Sequence, residues 1–182
     1  QPTAGTLTLG GIPVPLNVPI PLASLSTLVY TPATNGFGNG YASFGFKVQD
    51  NGGTDNGGVN TSVSANTLTV NITGVNDAPV NTLPAQTPAT EDSDKVITGL
   101  SVSDVDGNPN LTVTLVITNG TLTLLTGAGV TLAGNNSTSV TLTGTLNAIN
   151  TLLATANAVT YKPTPNYSGS AQLTMTSSDG TL

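Results

Sequence analysis

Gly5-Thr6-Leu7-Thr8-Leu9 recurs as Gly120-Thr121-Leu122-Thr123-Leu124, an offset of 115 residues (5 to 120). A single match of five common residues is weak, but others follow in the same order. Tyr30 and Pro32 find Tyr161 and Pro163 at an offset of 131, and Gly40 and Asp50 find Gly169 and Asp179 at 129. Preserved order over such a span marks an internal repeat. The jump between offsets gives the second copy about 16 more residues, around Thr126 to Asn157. Part of that extra length, Leu146 to Ala154, spaces its apolar residues as a helix does and predicts one or two helical turns between strands.

The blocks around the repeat alternate apolar and polar residues, which puts every second side chain on one face of a strand. Leu111, Val113, Leu115 and Ile117 alternate mainly with threonines, and Leu68, Val70 and Ile72 with Thr69, Asn71 and Thr73. Phe44, Phe46 and Val48 do the same in the first copy, where Leu173 and Met175 match them in the second. Turn signals bound these runs: Asn51-Gly52-Gly53, Asp106-Gly107, Asn119-Gly120 and Asp179-Gly180. Short strands joined by such turns predict an all-β chain of sandwich type. Ile12 to Pro21 holds four prolines, which forbid a central strand and predict an edge or an extended loop.

Composition narrows the function classes. Charged residues are 7% of the chain, nine acids against three bases, for a net charge of −6. Lys47, Lys95 and Lys162 are the only cations, too few and too scattered for a nucleic-acid partner. Apolar stretches are short and interrupted by Thr, far below the roughly 20 residues a spanning helix needs, so membrane insertion is not expected. Neither His nor Cys occurs, which removes the commonest general base, the imidazole metal ligand, thiolate chemistry and disulfides together. No Ser or Thr has an evident base beside it, and a non-enzymatic chain is expected. With no Trp, four Tyr and three Phe, a carbohydrate-binding surface of exposed aromatics ranks behind a structural role. The sequence begins at Gln1 with no charged-then-apolar segment, which suggests a processed product or an excerpt.

The boundary between copies falls at Gly74-Val75-Asn76-Asp77-Ala78-Pro79, followed by Pro84 and Pro88, where alternation stops and proline imposes extended geometry. Two domains result, 1–79 and 80–182. Val75-Asn76-Asp77-Ala78-Pro79 at a junction resembles the linker of bacterial cadherin-like tandem repeats in large secreted or surface adhesins. Glu91-Asp92, Ser103-Asp104-Val105-Asp106-Gly107, the Gly-Thr-Leu block, and Tyr161-Lys162-Pro163 leading to Tyr167-Ser168-Gly169 are similar to the same family.

The resemblance implies two Ig-like, cadherin-like Greek-key β-sandwiches in tandem, the first lacking its N-terminal strands and the second its C-terminal strand. It also implies calcium at the junctions. In that fold the linker, the loop after the second strand and the loop after the sixth meet at one end, which would gather Asn76, Asp77, Asp104, Asp106 and Asp179 as metal ligands. Calcium takes 6 to 8 oxygens from such groups. Turn chemistry alone also explains Asp104-Val105-Asp106-Gly107. Glu91 and Asp92 would lie at the far end. The function so implied is a structural or adhesive repeat segment of a secreted or cell-surface protein, a calcium-stiffened stalk or spacer whose partners are neighbouring repeats. The alternative is a self-polymerising extracellular filament subunit, with other copies of the chain as partners, in which donor-strand exchange completes the sheets.

Overall fold

A computed structural model describes residues 1–85, 87–107 and 110–180. The chain divides into two compact units, Gln1–Val75 and Asn76–Leu182. Both are built of short antiparallel strands, with a single α-helix among the described residues.

In the first unit, β1 (Thr6–Leu9) lies between β2 (Ile12–Pro13) and β3 (Leu28–Thr31). β4 (Gly38–Phe46) pairs separately with β5 (Asn66–Ile72). β2 is an edge strand of two residues, and the rest of the proline-rich stretch forms no strand, as its missing N–H groups dictate. Val48 falls outside β4, which ends at Phe46; its backbone is held instead by Ser62, whose N–H donates to the Val48 carbonyl at 2.8 Å. Only Leu7 and Ala42 of this unit are buried apolar residues, while Leu22 and Ile12 are 84% and 72% exposed.

The second unit is better filled. β6 (Val80–Thr82) pairs with β8 (Ser101–Ser103). β7 (Lys95–Ile97), β10 (Gly120–Leu124) and β13 (Val159–Pro163) form a sheet in the order β10-β13-β7. β9 (Leu111–Ile117), β11 (Val130–Ala133), β12 (Ser139–Gly144) and β14 (Leu173–Ser178) form another in the order β11-β12-β9-β14. The sheets close on one core, in which Leu111, Val113, Leu115 and Ile117 of β9 meet Leu122, Val140, Leu142, Val159 and Tyr161. Burial alternates along β9 as the Thr-spaced pattern requires. Each fully buried Leu or Val adds roughly 1.5–3 kcal/mol over an exposed one.

The extra length of the second copy lies across β11, β12 and helix α1 (Leu146–Ala154), where the first copy has the two-residue β2 and a short helical turn at Leu22–Thr27. Thr145 starts the helix, its hydroxyl accepting from the Ala148 N–H at 3.2 Å, and Ile149, Leu152 and Leu153 face the core. From the same helix, Asn150 grips β8: its Oδ1 accepts from the Val102 N–H at 2.9 Å and its Nδ2 donates to the Val102 carbonyl at 2.8 Å.

The repeat seen in sequence is also a repeat of geometry. Leu7 stands opposite Tyr30 and Thr6 opposite Thr31 in one unit, as Leu122 stands opposite Tyr161 and Thr121 opposite Lys162 in the other. Tyr30 Oη donates to the Ala4 carbonyl at 2.9 Å, and Tyr161 Oη to the Asn119 carbonyl at 2.7 Å, each acceptor immediately preceding the repeated glycine. That glycine is required by space. A Cβ on Gly5 would come within 2.6 Å of Tyr30 Oη, and one on Gly120 within 2.4 Å of the Tyr161 ring.

Candidate functional site

The five residues expected as ligands all belong to the second unit. Asn76 and Asp77 begin it, Asp104 and Asp106 sit in the loop after β8, and Asp179 follows β14 directly. Hydrogen bonds link them into one end of the unit. Asn76 Nδ2 donates to Asp179 Oδ2 at 2.7 Å, and the Asp77 N–H donates to Asp106 Oδ2. The Asp106 N–H in turn donates to Asp104 Oδ1 at 2.8 Å. The loop turns on Gly107, whose φ of +65° is open to glycine at no steric cost.

This last bond is a local Asx turn of the kind that Asp-x-Asp-Gly forms without any ion. It leaves the other oxygen unaccounted for. Asp104 Oδ2 is buried from solvent and has no hydrogen-bond partner. A desolvated, unmet acceptor costs roughly 1–3 kcal/mol, and more when it carries charge. Turn formation uses Oδ1 alone and gives Oδ2 no compensation.

The donor set is one amide and four carboxylates, with no sulfur or imidazole in the chain. Such hard oxygen ligands suit calcium, and to a lesser degree magnesium, rather than zinc or copper. The residues therefore suit calcium in chemical kind. They are not pre-assembled: among the described residues, no three acidic side chains stand as a ready metal-ligand group.

The other acids play local parts. Asp50, the counterpart of Asp179, accepts the Gly52 N–H at 2.9 Å and closes its own turn. Asp92, in a left-handed conformation at φ 56°, accepts the Asn166 N–H at 2.9 Å through Oδ1. The sequence reading did not find two amide clamps, Asn150 on Val102 and Asn135, which bonds both the N–H and the carbonyl of Leu124 at 2.8 and 2.9 Å. Nothing distinguishes these asparagines in sequence from the many others, because their partners are main-chain atoms.

Tyr161 is the one core residue with a displaced titration. Burial, assisted by neighbouring Tyr167, raises its phenol above the ordinary tyrosine value. That agrees with a hydroxyl held as a donor to Asn119. No protein-family model matches the chain, and neither curated proteins nor solved structures give a match.

Proposed function

We propose that this chain is a segment of cadherin-like tandem repeats, two Ig-like Greek-key sandwiches in succession, serving as a calcium-stiffened stalk or spacer in a secreted or cell-surface protein. The role is structural and adhesive, with neighbouring repeats as partners. The shared Leu–Tyr register and the twice-used tyrosine–carbonyl bond support the repeat reading. One observation carries the calcium: Asp104 Oδ2 is buried and unpartnered, in a loop whose Asp106 bonds the Asp77 N–H. A divalent cation there offsets clustered negative charge and ties the Asn76-Asp77 segment to the loops after β8 and β14.

Thermal unfolding of the full chain in calcium and in EDTA tests this reading. At a calcium concentration 100 times Kd, binding to the folded state alone adds about 2.7 kcal/mol. Asp104→Asn keeps an oxygen for the Asp106 N–H and removes the buried charge. The variant should be more stable than the parent in EDTA and insensitive to calcium. A parent melting curve that is the same in both buffers would rule the ion out.

The filament reading has its own support. Large apolar residues, among them Leu22 and Ile12, are uncovered in the first unit.

A further inference from the structure

We propose that Asn81 is a positioning residue for the acidic end of the second unit: its amide ties β6 to β14 and so sets the spacing of Asn76 and Asp77 against Asp179. The proposal rests on the calcium reading above and names the residue that governs how closely its ligands can approach.

The candidate ligands all lie a short way along the chain from one point. Asp77 is four residues before Asn81 (81 − 77), Asp104 is two after Val102 (104 − 102), and Asp179 is two after Ser177 (179 − 177). Asn81 and Val102 stand opposite each other in the β6–β8 pair. The half-buried Asn81 side chain reaches the third segment: Nδ2 donates to the Met175 carbonyl at 3.2 Å, and Oδ1 accepts from Ser177 Oγ. One residue therefore joins the three strands that lead into the acidic end.

These strands need such a tie. β6 and β8 form a sheet of their own and β14 belongs to another, so no shared ladder sets β6 against β14. β8 is fixed from a different side, by the Asn150 amide on both backbone groups of Val102. The Asn76–Asp179 bond crosses the same gap as Asn81 does, but both its partners are candidate ligands. Asn81 is not one of them, and its bonds persist whatever those ligands hold.

Magnitudes show why alignment matters here. A strand rises about 3.3 Å per residue, so a slip of β6 by one residue would carry Asp77 roughly that far relative to Asp179. Calcium–oxygen distances span only about 2.3–2.6 Å, a tolerance about tenfold smaller than the slip. Asparagine suits the place because its partners differ. Ser177 Oγ–H needs an acceptor and the Met175 carbonyl a donor, and one amide offers both. Removing a group that orients ligands without touching the ion typically lowers metal affinity about 10–100-fold.

The test uses the full chain. Calcium titration by calorimetry should give a Kd at least about tenfold weaker for Asn81→Ala than for the parent. Val140→Ala truncates a fully buried residue of β12; it should lower the melting temperature yet leave the calcium Kd unchanged. Ser177→Ala removes one of the two bonds and should weaken calcium in the same direction, and the double variant should bind no more weakly than Asn81→Ala alone. Native-state hydrogen exchange in EDTA reads the positioning without any ion. The Asp77 amide, bonded to Asp106, should exchange faster in Asn81→Ala, whereas the Asp106 amide, bonded within its own loop to Asp104, should not change. If Asn81→Ala does not fold, Ser177→Ala decides by the same two measurements. An unchanged Kd, an equal loss of affinity in Val140→Ala, or an Asp77 amide no faster than in the parent would overturn the proposal. A parent that binds no calcium would reject the calcium reading alone, and the Asp77 amide would then decide the role of Asn81.

Discussion

Replacing Asn150 by Ala should destabilise the second unit far more than an exposed helical asparagine warrants. Val102 of β8 is 3% exposed and stands opposite Asn81 of β6, and its N–H and carbonyl are both met by the Asn150 amide. The substitution deletes two neutral hydrogen bonds and leaves one buried N–H and one buried carbonyl unmet. At roughly 1 kcal/mol per bond made and 1–3 per group left desolvated, the loss should be about 2–5 kcal/mol. For a unit of this size that corresponds to a melting temperature lower by roughly 10–20 °C. Asn150→Asp should be worse than Ala, because it turns a second acceptor toward the Val102 carbonyl and charges it. Native-state hydrogen exchange at Val113 and Leu115, both fully buried in β9, reports the stability of the second unit by itself. A loss below about 1 kcal/mol for the Ala variant, or an Asp variant as stable as Ala, would refute the clamp as a stabilising element.

Two further outcomes follow from the same packing. Leu122→Ala should cost about 2–5 kcal/mol, because Leu122 is fully buried, whereas Leu7→Ala at the matching register position should cost less, since the core around it is thin; urea unfolding read through tyrosine fluorescence separates them. Tyr161 binds its proton more tightly when folded than unfolded, so its contribution is fully present below the unfolded tyrosine value and is lost as pH rises through the folded one. Alkaline titration of stability should therefore show a decline above about pH 10 that Tyr161→Phe reduces, and an unchanged decline in that variant would assign it to other groups.

Much of the fold was legible because the relevant signals are local or repeated. Period-two alternation placed β9, β5 and β14, four prolines disqualified Ile12 to Pro21 as a central strand, and helical spacing located α1 at Leu146–Ala154. The offset jump located the extra length and its helix but not the strands β11 and β12 within it. Val48 was assigned to a strand because it continues the alternation of Phe44 and Phe46, but past Phe46 the pairing passes to Ser62 and becomes irregular. The amide clamps were invisible because an asparagine that satisfies a backbone edge needs no complementary side chain, and so leaves no pattern.

The acidic end of the second unit unites these threads. Asp77, Asp104, Asp106 and Asp179 are four of nine acids in a chain with only three cations, and what draws them together is backbone N–H groups and one amide rather than lysine. Such dipoles offset part of the repulsion between carboxylates but supply no net positive charge. Asp106 bonds the Asp77 N–H through Oδ2 and Asp104 bonds the Asp106 N–H through Oδ1, which leaves the buried Asp104 Oδ2 without a hydrogen bond. Calcium tolerates irregular geometry and carbonyl or water ligands, so under the proposed reading the ion would have to draw these oxygens together from an arrangement that is not assembled without it. Magnesium demands near-octahedral placement at shorter distances and fits this loosely tethered arrangement less well. Calcium should therefore raise the melting temperature more than equimolar magnesium does, and the difference should vanish in Asp104→Asn, whose amide keeps the turn while removing the charge that the ion would neutralise.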